Sequence, residues 1–264
     1  MTAHAPLRLG ILTVVRDDCA GLADTYDSLR GQIGADLVWL VADGASTDGT
    51  AEWLLDHADV PLWWRSTSDS GLYDAMNDAL AAASRLGCSH VLFLNAGDRL
   101  AAGDSGIRLL RAIGSHSDCV LLYGDALERQ RDGRILLKPA RSHRWASLGM
   151  FTHHQAMIYS VSALAGLRFD SGYRIAADYD FTLSVLKRGR AERLRWPVCL
   201  FAPGGLSQRD ATTGRYEQAA IRQRHFGHST VRTATITGAQ RVALALRQQL
   251  PAIYAKLRFR CPEI

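Results

Sequence analysis

Between residues 9 and 98, four short apolar runs alternate with helix-forming stretches, and an acid follows each run. The runs are Leu9–Val15 ("LGILTVV"), Leu37–Ala42 ("LVWLVA"), Leu62–Arg65 and His90–Leu94. Unbroken apolar runs of this length read as strands buried on both faces. Cys19–Gln32 carries Leu22, Tyr26 and Leu29 at helical spacing. Leu72–Leu86 carries a fuller stripe, Leu72, Ala75, Met76, Ala79, Leu80 and Ala83, with Tyr73, Asp74 and Asn77 off its centre. Asp48 is expected to cap a helix, with Glu52 in its first turn. Strand and helix in regular alternation require crossover connections. The expected class is therefore α/β, with a mainly parallel central sheet flanked by helices.

The pattern changes after a helix expected over Ala101–Ile113. Val120–Tyr123, the charged turn "ERQRDGR" and Ile135–Leu137 predict a small antiparallel addition. A further strand is expected at Ala156–Tyr159 and a helix at Asp178–Arg188. Gly204 to Gly214 reads as a loop able to close over a ligand. Two helical patterns, Tyr216–Phe226 and Ala239–Phe259, end the chain, the second interrupted by Pro251.

In an open α/β sheet, ligands bind beyond the carboxyl ends of the strands. Asp43, Asp69 and Asp98 fall at or just beyond three such ends, and Asp17 and Asp18 follow the first. Acids converging on one rim repel unless a cation or hydrogen-bond donors neutralise them. A magnesium or manganese ion, which takes oxygen ligands and binds phosphates, fits that need. No GxGxxG follows the first strand, no GxxxxGK[ST] appears, and no GxSxG elbow is present, so three familiar site types are unsupported.

Bulk properties narrow the partners. The net charge is +5, yet arginines crowd the chain from Arg190 onward, which suits a polyanionic partner. Nucleic acid is not expected, because no stacking-aromatic or zinc pattern accompanies the arginines. The five cysteines are dispersed singly, as in a reduced, cytoplasmic chain whose thiols pack in the core. The N-terminus lacks secretory-signal features, and no apolar run approaches the length of a bilayer span.

Six motifs then stand in a telling order: "DGASTDGT" from Asp43, "DSGLYDAMNDAL" from Asp69, "FLNAGD" ending at Asp98, "HHQAMIY" from His153, "AADYDF" from Ala176 and "GGLS" from Gly204. Together they resemble the family 2 glycosyltransferases. The nearest likeness is to the bacterial branch that builds exopolysaccharide, O-antigen and glycolipid sugars, such as the colanic acid enzymes. The resemblance implies a GT-A fold, a nucleotide-diphosphate sugar donor with UDP favoured, and a divalent cation. It also implies inversion at the anomeric carbon and a glycan or lipid-linked acceptor. By position it implies a catalytic domain over 1–228. A nucleotide-binding part would occupy about 8–100, an acceptor part 101–228, and a basic helical tail 229–264.

Residue by residue, the resemblance makes Thr13, Val14 and Val15 the lining of a nucleoside pocket. Asp43 and Asp69 would bond base and ribose. Asp98 matches the last acid of the family's DxD motif and would hold the metal. Asn95 or Ala96 stands where many members carry the first acid. Asp178 matches the family's general base, here preceded by Ala177 rather than Glu, and Asp180 is the alternative. His153, His154 and Gln155 would contact diphosphate or acceptor. Arg222 and Arg224 are expected to be solvent-exposed. The rival readings are a sugar-nucleotide pyrophosphorylase, which would need a Gly-rich loop after the first strand, and a sugar-nucleotide-binding protein without activity. The tail mixes Val242, Leu244, Leu250, Ile253 and Leu257 with Arg241, Lys256 and Arg258. Such a segment either lies on an anionic membrane at the inner face of the cell or packs back on the domain.

Overall fold

The computed structural model describes residues 7–130, 132–205 and 210–260. One nine-stranded sheet organises them, in the order β3-β2-β1-β4-β8-β6-β9-β5, with β7 paired outside this path to β6. The strands are β1 Leu9–Val15, β2 Leu37–Asp43, β3 Trp63–Ser66, β4 His90–Phe93, β5 Arg99–Leu100, β6 Cys119–Arg129, β7 Ile135–Lys138, β8 Met157–Ser160 and β9 Arg190–Phe201. β3, β2, β1 and β4 are parallel, as the alternation predicts. β8 then joins antiparallel to β4 and β6, β7 forms the expected hairpin with β6, and β9 runs parallel to β6.

Each face of the sheet has its own core. Leu12, Val14, Met76, Phe93, Phe169 and Phe181 pack on one side, beneath α3 (Leu72–Arg85) and α5 (Ala177–Leu186). Ile11, Leu22, Trp39, Leu54, Leu92 and Leu109 pack on the other, against α1 (Cys19–Leu29), α2 (Thr50–Asp56) and α4 (Ser105–Ser115). Successive residues of β1 thus serve opposite cores, which is why the run contains no polar alternation.

Three local expectations are corrected. Tyr73 and Asn77 are not at the margin of α3. Both are buried, Tyr73 donating to the Ile175 carbonyl at 2.6 Å and Asn77 clamping the backbone of Phe169 through both ends of its amide. Asp48 accepts from Thr50 N–H, but the residue preceding α2 is Gly49, and the second oxygen of Asp48 accepts from Cys19 N–H at 2.8 Å. It therefore ties two loops together as well as starting a helix. Finally, β9 has no counterpart in the sequence expectations, because Pro197 and repeated arginines mask it. Pro197 sits opposite Asp125 at a register shift, where a missing N–H is tolerated. Gly124 permits the contact: a Cβ there would meet the Trp196 carbonyl at 2.7 Å.

The chain closes with α6 (Ala211–Phe226), α7 (Thr230–Gln249) and α8 (Pro251–Arg258), Pro251 occupying the first turn of α8. These helices pack back on the sheet domain. Gln240 donates to the Leu148 carbonyl, Arg258 to that of Pro139, and Arg260 exchanges two backbone bonds with Leu137. Among the described residues no helix is long and apolar enough to cross a membrane. Cys88, Cys119 and Cys199 are free and buried, whereas Cys261 lies outside the described residues. So do Leu206 and Ser207 of the "GGLS" motif and part of the Gly204–Gly214 loop.

Candidate active site

The loops at the carboxyl ends of β1 and β2 are bound to each other before any ligand is considered. Asp17, in the left-handed region at φ 51°, donates its N–H to Ser46 and accepts from Thr47 N–H at 2.8 Å. Asp43, fully buried, accepts from the Ser46 N–H and from the hydroxyls of Ser46 and Ser66. Asp69 accepts from Gly71 N–H and lies against the Asp43–Gly44 turn, where a Cβ on Gly44 would stand 2.9 Å from its Oδ2. Asp43 and Asp69 therefore meet at one edge of the rim.

Asp98 lies two strands across, beyond β4. It is 3% exposed, its Oδ1 accepting from Ala202 N–H and its Oδ2 from the Gln155 amide, each at 2.8 Å. Burial pushes its pKa up to about 6 despite both bonds. A cavity of about 830 Å3 opens beside it, lined by Asp18, Asn95, Asp98, His153, His154 and Asp178 among others. Asp178 projects from the first turn of α5, and the Nδ1 of His154 stands 3.4 Å from its Oδ2. The buried Asn95 Oδ1 and His154 Nε2 have no hydrogen-bond partner among the described residues.

The placement of the sequence candidates sorts them by chemistry. Asp98 and Asp178 share the cavity, whereas Asp43 and Asp69 are not among its lining residues. Gln155 is the donor that orients Asp98. His153 faces the cavity but is stacked on Phe201 and bonded to Lys138, and burial, reinforced by that ammonium, pushes its imidazole down to about 4. Thr13 spends its hydroxyl inside the core, donating to the Leu94 carbonyl and accepting from Trp39. Val14 and Val15 are buried on opposite faces of β1.

Asp180 is not among the lining residues; itself buried, it pairs with the half-exposed Arg224 and meets the Nε2 of His225 at 2.7 Å. The expectation of an exposed Arg222 is overturned. It is fully buried, its Nη2 reaching the Thr237 hydroxyl, because α7 covers this face of α6.

One further rim acid joins the cavity, and one contributor was not anticipated. Asp18 lines the cavity while its carboxylate accepts from Gly21 N–H to start α1. Glu217 on α6 accepts from three successive backbone N–H groups, of Arg174, Ile175 and Ala176, at 2.7–2.9 Å. That fixes the approach to α5 and hence Asp178. A lone Glu on a polar helix gives no sequence signal of such a role.

Among the described residues no cluster of three His, Cys, Asp or Glu side chains forms a metal cage. The lining of the cavity does bring together the Asp98 carboxylate and the partnerless Asn95 Oδ1 and His154 Nε2. These oxygen and imidazole donors suit a manganese or magnesium ion that completes its shell with phosphate and water.

No protein-family model matches the sequence. An uncharacterised glycosyltransferase of Mycobacterium tuberculosis is 26% identical over 205 residues, covering 75% of this chain and 76% of that protein. A PGL/p-HBAD biosynthesis glycosyltransferase of Mycobacterium bovis is 29% identical over 180 residues, 62% of this chain and 64% of the other. Among solved structures, S. aureus TarS 1–349 in complex with UDP-GlcNAc superposes with a TM-score of 0.64 at 15% identity, covering 91% of this chain and 73% of that one. The mannosyltransferase PcManGT of Pyrobaculum calidifontis, in complex with GDP-Man and Mn2+, gives 0.59 at 19% identity over 97% of this chain and 75% of the other. At these identities the likeness of structure speaks for architecture, and the chain has a GT-A-like α/β fold.

Proposed function

We propose that the protein is an inverting, metal-dependent glycosyltransferase. It moves a sugar from a nucleotide-diphosphate donor to a hydroxyl of a glycan or lipid-linked acceptor in cell-surface glycan or glycolipid synthesis. The observation that carries this reading is that Asp98 and Asp178 line one cavity, Asp98 lying just beyond the carboxyl end of a strand in the parallel half of the sheet. The sugar-nucleotide complexes of TarS and PcManGT, and the PGL/p-HBAD biosynthesis glycosyltransferase among the mycobacterial relatives, support it.

The chemistry follows from the groups present. An acceptor oxygen attacks the anomeric carbon while the bond from that carbon to the diphosphate breaks, its electron pair leaving with the phosphate. The acceptor's proton passes to Asp178, held ready by His154. Attack from the side opposite the leaving group inverts the configuration. Asp98, with Asn95 and His154, would hold the divalent cation, which when bound offsets the charge growing on the diphosphate. Asp43 and Asp69, at the neighbouring edge, are assigned to the nucleoside.

The test is turnover of a panel of nucleotide sugars, UDP-sugars first and GDP-sugars second, with manganese and with magnesium. Asp178→Asn is expected to lower kcat by about a hundredfold or more while donor binding persists. Full turnover by that variant, or binding of a donor without transfer by the wild type to any hydroxyl acceptor offered, would remove the enzyme reading.

A further inference from the structure

A second cavity, of about 1010 Å3, shares no lining residue with the first. The 3-10 turn His143–Leu148 separates them: Leu148 and Met150 face the candidate active site, whereas His143, Arg144 and Ala146 line the other side. Its remaining wall comes from the end of α5, the start of β9 and the α6–α7 junction.

The charge of this cavity is one-sided. Arg144, Lys187, Arg190, Arg193, Arg195 and Arg232 line it, and Glu192 is the acid among the lining residues. Arg190 is paired with Asp118 and Glu192, and Arg193 with Asp125. Among the described residues Arg144, Lys187, Arg195 and Arg232 have no acidic side chain within ion-pair distance. Two buried nitrogens on the wall also lack a hydrogen-bond partner there: Nδ1 of His228, a residue 5% exposed, and Nε of Arg193. Burial, with Arg144, holds His143 below the usual imidazole range, and burial with Arg232 and Arg222 does the same for His228. Basic side chains lining one cavity, four of them without an acidic partner, are stabilised by an anion bearing several acceptor oxygens.

The surroundings identify what carries that anion. Phe226, on the wall, is 42% exposed. Trp145 and Val231, outside the lining but next in sequence to Arg144 and Arg232, are 59% and 76% exposed. A small soluble phosphate gains nothing from such neighbours. A bilayer interface does: aromatic side chains settle at headgroup depth, and basic side chains meet the anionic surface.

We propose that this cavity seats the phosphate of an anionic lipid headgroup, with Trp145, Phe226 and Val231 entering the interfacial layer. The active cleft would then open beside the membrane surface, one 3-10 turn away from the seated headgroup.

The experiment is flotation of the full chain with vesicles of phosphatidylcholine alone and of phosphatidylcholine mixed with phosphatidylglycerol. The wild type is expected to float with the anionic vesicles only. Lys187→Glu combined with Arg232→Glu should lower binding by more than tenfold, about fivefold for each basic residue lost. Trp145→Ala should weaken it further without changing the melting temperature. Equal binding to both vesicles overturns the proposal, as does anionic binding that survives the double charge reversal. Protection against melting by inorganic or glycerol phosphate, with no vesicle binding, assigns the cavity to a free anion and overturns the lipid. Loss of binding in Val242→Glu with Leu257→Glu, while the cavity variant still floats, moves the membrane face to the tail and equally overturns it. No donor or turnover enters the measurement, so it stands apart from the fate of the transferase reading.

Discussion

Asp98 carries a tension that the fold alone does not relieve. A carboxylate 3% exposed, with two donors on it, still titrates near 6 because burial disfavours the ion more than the two bonds favour it. The folded pKa is thus raised above the unfolded value. The associated stability is fully present below pH 4 and is lost as pH rises through 6, by about 3 kcal/mol for a shift of roughly two units. Asp98→Asn, with the Gln155 amide turned to offer its oxygen, should flatten this dependence, leaving the variant at least as stable as the wild type at pH 8. Denaturant melts at pH 4.5 and pH 8 measure it. The divalent cation proposed above would compete with the same proton. Manganese with nucleotide should therefore raise the melting temperature of the wild type at pH 8, much less at pH 5, and not that of Asp98→Asn.

At the scale of elements, the position of Asp178 is decided by α6 rather than by α5, on which it sits. Glu217 collects the N–H groups of Arg174, Ile175 and Ala176, and Gly214 lets α6 approach, since a Cβ there would come within 3.0 Å of Ile175. Tyr73 of α3 holds the Ile175 carbonyl from the other side. Glu217→Ala leaves three donors to water and is expected to cost about 2–3 kcal/mol of stability. It should lower kcat while leaving donor KM near the wild-type value, because the edge at Asp43 and Asp69, proposed above for the nucleoside, is untouched. A fall in donor affinity equal to the fall in kcat would place Glu217 outside this role. Asp180 belongs to the same pair of elements, where its bonds to Arg224 and His225 pin α5 to α6.

For the molecule as a whole, the C-terminal helices complete the cleft. Gln240, Leu244, Tyr254 and Arg258 line the candidate active-site cavity, and α7 covers Arg222, which is fully buried. Truncation after residue 228 would strip one wall and expose that side chain with Ile221. The expected result is a melting temperature lower by several degrees and loss of transfer, even if nucleotide still binds at the Asp43 edge. Calorimetry and nucleotide titration on the truncated chain check this, and wild-type turnover by it would show the tail to be dispensable.

The sequence by itself determined the parallel half of the sheet, because Leu9–Val15 and Leu37–Ala42 admit no exposed face. It also determined that acids would fall along one rim, because each follows a strand of the half-sheet β3-β2-β1-β4, whose strands run the same way. The order of motifs carried the likeness that made Asp98 and Asp178 candidates. Only the tertiary structure decided which acids meet. Asp178 and Asp180 are two residues apart on one helix, so one faces the cavity while the other faces Arg224 and His225. The sequence holds no preference between those directions until α6 has docked. β9 stayed hidden for a related reason: its strand character rests on Gly124 and a register shift in its partner, not on its own residues. The basic cavity and the partnership of Glu217 with the start of α5 depend likewise on segments far apart in the chain, which local pattern cannot join.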